Sequence, residues 1–187
     1  MEDKTKKIIV GGFIGFIMVL STFAVIFSGS GNEVETYRYK DKVFINTGYG
    51  WSADINGLKI TIETDPKELD SIEVPDVNVA QLNSGQKVYM TVNPEQDGMV
   101  KSISYFNTYV RPFVSVRWIT ACTIDNEKCG DAPIRTCSDA TSTVKVIQFE
   151  ENNETKITYN NNCLIVQGKE PELTRYTDRI ILKMLGL

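Results

Sequence analysis

The sequence predicts a mainly β protein: an antiparallel β-sandwich, for which the immunoglobulin-like arrangement is one form, placed behind an N-terminal transmembrane helix and closed by a C-terminal amphipathic helix. Three observations carry this. Short runs alternate apolar and polar residues, an uncharged apolar stretch covers residues 8–27, and the end of the chain changes to helical spacing.

The apolar stretch reads IIVGGFIGFIMVLSTFAVIF. Roughly 20 residues rising about 1.5 Å each span about 30 Å, the thickness of a bilayer's hydrocarbon core. A single segment in lipid satisfies its backbone polar groups only as a helix. Lys4, Lys6 and Lys7 precede it, and a basic flank stays on the cytoplasmic side. The stretch exceeds the apolar core of a cleavable signal peptide, about 7–15 residues, so an uncleaved anchor is expected. The resulting division is a cytoplasmic tail at 1–7, a transmembrane helix at 8–28, a Gly/Ser linker at 29–33 and an extracytoplasmic β domain at 34–187. Gly11 and Gly15 form a G-x-x-x-G pair, the spacing that lets two membrane helices approach closely.

Behind the linker, Leu58, Ile60 and Ile62 alternate with Lys59 and Thr61, and Val88, Met90 and Val92 with Tyr89 and Thr91. Val114, Val116 and Trp118, then Val144 and Val146, then Ile157 and Tyr159, repeat the pattern. Alternation buries one face of a strand and wets the other, the habit of antiparallel sheets. Asn56-Gly57, Asn83-Ser84-Gly85, Asn93-Pro94 and Asp97-Gly98 punctuate the runs as turns. About eight or nine short strands between residues 34 and 166 make a sandwich. Pro66 and Pro75 confine residues 65–76 to an edge or loop. Leu173, Tyr176, Ile180, Ile181, Met184 and Leu185 then recur on one helical face, giving a helix over about 171–185. Pro171 suits its first turn, and Lys183 and Gly186 its finish.

The chain has 187 residues, a net charge of −4 and no histidine. Without histidine there is no Ser-His-Asp triad, Cys-His dyad or His-containing metal site. The acidic balance argues against nucleic acid and against docking on anionic lipid heads. No cofactor motif is present, and an enzyme is not expected; a carboxylate-pair hydrolase is the remaining catalytic alternative.

All four cysteines, Cys122, Cys129, Cys137 and Cys163, lie beyond the apolar stretch. An even number on one side of a membrane predicts two disulfides in an oxidising compartment. Their spacings do not resemble paired zinc knuckles. Three connectivities are open. The turn formers in CGDAPIRTC favour Cys129–Cys137, leaving Cys122–Cys163. Asn153-Glu154-Thr155 is a glycosylation acceptor pattern on a polar hairpin tip.

Two groupings bear on ligands. Tyr49 and Trp51 with Asp54 and Asn56 would stack on a sugar ring and bond its hydroxyls; the competing assignment makes Trp51 core and residues 54–57 a plain turn. Asp65, Glu68, Asp70, Glu73 and Asp76 follow no calcium-loop spacing and predict a solvated acidic loop.

The closing stretch, Cys163-Leu-Ile-Val-Gln-Gly168, Leu173, Asp178-Arg179 and Leu185-Gly186-Leu187, resembles the ending of uncharacterised archaeal membrane-anchored extracytoplasmic proteins. There a Cys-bearing strand leads through Gly into a terminal helix. Met184-Leu185 stands here where that pattern has two leucines. The resemblance implies an archaeal envelope origin and no known activity. The function expected is a non-catalytic binding or structural component of the cell envelope with the lipid bilayer and protein subunits as partners; the alternatives are a subunit of an envelope-spanning machine and an envelope glycan or peptide hydrolase.

Overall fold

Residues 16–18 and 34–187 are described by the structure, a computed structural model. The expected tail at 1–7, the spanning helix at 8–28 with Gly11 and Gly15, and the linker at 29–33 lie outside the described residues, save that Phe16, Ile17 and Met18 are helical. Among the described residues no helix is long and apolar enough to cross a membrane.

The unit Thr36–Leu187 contains two sheets. The first is a meander of β1 (Thr36–Tyr39), β2 (Lys42–Asn46), β3 (Trp51–Ile55) and β4 (Leu58–Ile62), antiparallel throughout and in chain order. Asn56 (φ 54°) and Gly57 (φ 82°) join β3 to β4, the paired left-handed conformation that suits a two-residue hairpin. Pairing Trp51 with Ile62, Ala53 with Ile60 and Ile55 with Leu58 sets the register. One face thereby gathers Trp51, Ala53, Ile55, Ile60 and Ile62 with Tyr39 and Phe44, all buried. Gly50 enters β3 where no side chain fits: a Cβ there would stand 2.5 Å from the Ile62 carbonyl oxygen, and its φ is 150°.

The second sheet overturns the antiparallel sandwich. Its order is β6-β5-β7-β9-β8, built from β5 (Lys87–Val92), β6 (Arg117–Cys122), β7 (Val144–Glu151), β8 (Lys156–Asn160) and β9 (Cys163–Gly168). β6, β5, β7 and β9 run parallel, and only the edge strand β8 is antiparallel. The architecture is therefore mixed α/β. Parallel neighbours need a crossover, and β5 reaches β6 through helix α2 (Val100–Tyr105). That helix continues as a π-helical turn, Phe106–Val110, and a 3-10 turn, Arg111–Phe113, where Pro112 ends it. A five-residue helix α1, Val79–Asn83, precedes β5; Asn78 and Gln81 close a capping box at its start.

Both faces of the second sheet are covered. Val88, Met90, Ile147, Phe149, Leu164 and Val166 pack on one face beneath Phe106 and Val110, and beneath Leu173, Ile180, Ile181 and Met184 of helix α3 (Glu172–Met184). Tyr89, Ala121, Val146 and Cys163 occupy the other, under Cys137 and Ala140 of the loop between β6 and β7. Residues 145–149 of β7 are accordingly buried in an unbroken run, as expected for a strand covered on both sides.

Two disulfides fasten that loop, Cys122–Cys129 and Cys137–Cys163. The expected Cys129–Cys137 and Cys122–Cys163 pairing is wrong. Residues 129–137 do not close on themselves. They run out beside the end of β6, where the Cys122 amide donates to the Pro133 carbonyl (3.0 Å) and the Arg135 amide to the Cys122 carbonyl (2.8 Å). Cys129 is turned back towards Cys122 by the 3-10 turn Glu127–Cys129, and Cys137 is carried over the sheet to the start of β9.

Helix α3 does more than cover one sheet face. While Leu173, Ile180, Ile181 and Met184 face the second sheet, Leu182 and the terminal Leu187 join the core of the first. The helix contributes to both cores, as Tyr109 of the π-helical turn also does, and its nominally polar side contains Thr174, Thr177 and Asp178, all buried.

Candidate functional site

A connected polar grouping lies where the first sheet meets α3. Leaving β4, the chain turns at Glu63 and Thr64 and passes over the start of α3. An open groove of about 570 Å³ results, lined by Glu63, Asp65, Glu68, Glu172, Thr174 and Arg175. Beneath it, one Asp178 carboxylate oxygen, Oδ2, accepts from the Thr64 amide (2.9 Å), the Glu63 amide (3.0 Å) and the Thr64 hydroxyl (2.8 Å). Its other oxygen, Oδ1, is buried without a hydrogen-bond partner. Glu63 accepts from Lys101 Nζ (3.0 Å) and the Tyr105 hydroxyl (2.8 Å). On the α2 side, Glu170 accepts from the Ser102 amide (3.1 Å) and hydroxyl (2.8 Å), and from the Thr174 hydroxyl. The Thr177 hydroxyl donates to Ser102 Oγ (2.9 Å).

The chemistry of these groups follows from their surroundings. Burial pulls the Glu63 carboxyl up, but its bonds from Lys101 and Tyr105 and the ammonium charge outweigh that and hold it below the ordinary range. The bond to Glu63 raises Lys101, and burial followed by its own bond to Glu63 raises the Tyr105 hydroxyl. Asp178 is pushed up to about 6 by burial, against its three hydrogen bonds, with the Glu63 charge adding to the rise. Glu63 thus holds its charge against two donors, and Asp178, raised to about 6, has no exposed surface from which to meet a substrate. The arrangement works as structure. Asp178 ties the end of β4 to α3, and Glu170 satisfies an amide in the first turn of α2, where amides lack helical partners.

Three of the five carboxylates in the acidic stretch 65–76, which stays at the surface, also fasten it. Asp70 accepts from the Tyr39 hydroxyl (2.8 Å), Glu68 pairs with Arg175 (3.2 Å) and Asp76 with Lys183 (3.1 Å). Three of these carboxylates therefore strap their loop to β1 and α3. The Tyr39 hydroxyl is raised to about 12, first by burial and then by that bond to Asp70.

The sugar platform is not assembled. Trp51 is buried in the first core; Asp54 accepts from the Gly57 amide (3.1 Å) and Asn56 carries the left-handed turn. Tyr49 is 94% exposed at the opposite end of β3, so no shared surface joins it to Asp54 and Asn56. Strand alternation explains the split, since Trp51 and Asp54 lie on opposite faces of β3.

On the outer face of the first sheet, Val43 and Ile45 remain about half exposed, at 45% and 44%. With Thr47, Asp54 and Lys59 they border a depression of about 410 Å³. Asn153 is exposed in the turn between β7 and β8. The polar linkage through Glu63, Ser102, Glu170, Thr177 and Asp178, buried at Ser102, Thr177 and Asp178, has no sequence motif; its one signal is a carboxylate at 178 just before the apolar turn Ile180-Ile181-Leu182.

No protein family, no curated protein and no solved structure matches this chain.

Proposed function

We propose that the protein is a single-pass, membrane-anchored component of the cell envelope whose folded domain lies outside the cytoplasm and acts by binding or by bracing rather than by catalysis. The observation that carries the placement is the pair of disulfides, which engages all four cysteines of the chain. Such bonds persist in oxidising compartments and are rare in the cytosol. The apolar run at 8–27 supplies the anchor, the basic residues before it set its direction, and the ending like that of archaeal anchored proteins agrees. The non-catalytic role draws support from the use made of the carboxylates. Glu63, Glu68, Asp70, Glu170 and Asp178 each hold one part of the fold to another.

A second reading, a subunit of an envelope-spanning machine, is favoured by Val43 and Ile45 on the outer face of the sheet that follows the tether. Crosslinking in intact cells, followed by isolation in mild detergent, tests both. Reproducible stoichiometric partners favour the machine subunit, and varied envelope partners favour the binding or bracing role. Crosslinks to cytosolic proteins from the folded domain would refute the placement.

A further inference from the structure

We infer that Asn153 carries an N-linked glycan, attached while the β7–β8 hairpin is still open. The inference rests on the extracytoplasmic placement proposed above. Its own evidence is local. Asn153 sits in the turn between Glu151 and Lys156, exposed, and its side-chain amide makes no hydrogen bond among the described residues. The turn is held instead by its neighbour: Asn152 Oδ1 accepts from the Glu154 amide (3.1 Å), and the Asn152 amide donates to the Gly168 carbonyl (3.3 Å). Losing the free amide to a sugar therefore costs the fold nothing. Beside it lies a polar notch of about 480 Å³ lined by Glu95, Gln96, Glu151, Asn152 and Lys169. These groups supply both donors and acceptors for the hydroxyls of the first sugar.

The chain holds a second sequon of the weaker Cys type, Asn161-Asn162-Cys163. Cys163 is buried in its disulfide and Asn161 occupies a left-handed turn position, so the two sites separate cleanly. Timing follows from Thr155. In the folded hairpin its hydroxyl donates to Glu172 Oε2 (3.2 Å), and its side chain rests on Gly168, where an added Cβ would come within 2.7 Å of Oγ1. A transferase that reads the Thr hydroxyl meets it free of that contact only while the hairpin is open. The transfer itself balances. The Asn153 amide nitrogen bonds to C1 of a sugar carried on a lipid phosphate, the C1–O bond breaks, the phosphate leaves with its electron pair, and the amide proton passes to a base on the transferase.

The test uses the full chain isolated from its own membranes without reductant, digested with trypsin and weighed peptide by peptide. The peptide 146–156 should carry added hexose or acetylated sugar mass. N153Q and T155V should lose that mass and T155S should keep it; both positions lie in the turn before β8 and outside either core, so the variants fold. The folded chain made without a transferase should stay unmodified when offered to those membranes, while a synthetic 146–156 peptide accepts the sugar; modification of the folded chain would overturn the order of events. An unmodified 146–156 peptide beside intact disulfides would overturn the glycan and leave the placement standing. An unmodified peptide beside four free thiols would overturn both. Sugar on Asn161 in place of Asn153 would overturn the site.

Discussion

Replacing Asp178 by Asn changes how stability depends on pH, and the size of the effect follows from the site. In the folded chain the Asp178 carboxyl is raised from 3.8 to about 6, first by burial. A raised folded pKa means that the group's contribution is fully present below its unfolded value and is lost as pH rises through the folded one. A shift of roughly two units at about 1.4 kcal/mol each makes that loss about 3 kcal/mol between pH 4 and pH 7. Asp178→Asn keeps an oxygen for Thr64 and Glu63 but places an amide where Oδ1 stands unpartnered, which costs about 1–3 kcal/mol. The two effects nearly offset each other at pH 7. At pH 4 the variant is the less stable protein. Glu63, held low, works in the opposite direction as its own carboxyl protonates, and it is present in both proteins. Urea unfolding at several pH values, read from the fluorescence of Trp51 in the first sheet and Trp118 in the second, supplies the free energies. The difference between variant and parent should move by about 3 kcal/mol in the variant's favour from pH 4 to pH 7. Parallel curves would refute the argument that burial governs this carboxylate.

Other outcomes follow from the packing. Opening Cys137–Cys163 with paired serines should cost about 3.5 kcal/mol, and opening Cys122–Cys129 about 2.4, because the first closes the longer loop, 26 residues against 7; chemical unfolding of both pairs checks the order. Phe149→Ala should cost about 3–5 kcal/mol, since the ring is fully buried and meets Phe106 edge-on at 5.3 Å; the same unfolding assay measures it. Trp51→Ala should destabilise by a similar 3–5 kcal/mol while Tyr49→Ala stays within about 0.5, and thermal melts of the two would separate core from surface at this supposed platform.

The strands were legible because their apolar residues alternate: the Leu58, Ile60, Ile62 set is β4, and Val88, Met90, Val92 is β5. Direction was not legible. Alternation in β5 looks the same whether its neighbour runs parallel or antiparallel, and the crossover that decides it was hidden. Residues 100–113 carry Ser102, Asn107, Thr108 and β-branched Val110, a poor helical signature, and the π-helical turn shifts the spacing within it. Val114 and Val116, which read as strand, precede β6. The terminal helix was clear from Leu173, Ile180 and Ile181, but a one-sided stripe did not reveal Leu182 packing into the other sheet or Asp178 buried between them. The cysteine pairs were open because loop composition says nothing of where residues 132–135 lie, and they lie against Cys122. The buried polar linkage joins residues far apart in the chain, Thr64 with Asp178 and Ser102 with Glu170, and tertiary structure alone unites them.

The placement outside the cytoplasm is tested most directly by treating intact cells with a membrane-impermeant alkylating reagent in the absence of reductant, then mapping cross-linked peptides of the isolated chain. The prediction is no alkylated cysteine and two linked pairs, Cys122 with Cys129 and Cys137 with Cys163. Four free thiols, reached by reagent only after the cells are opened, would contradict it.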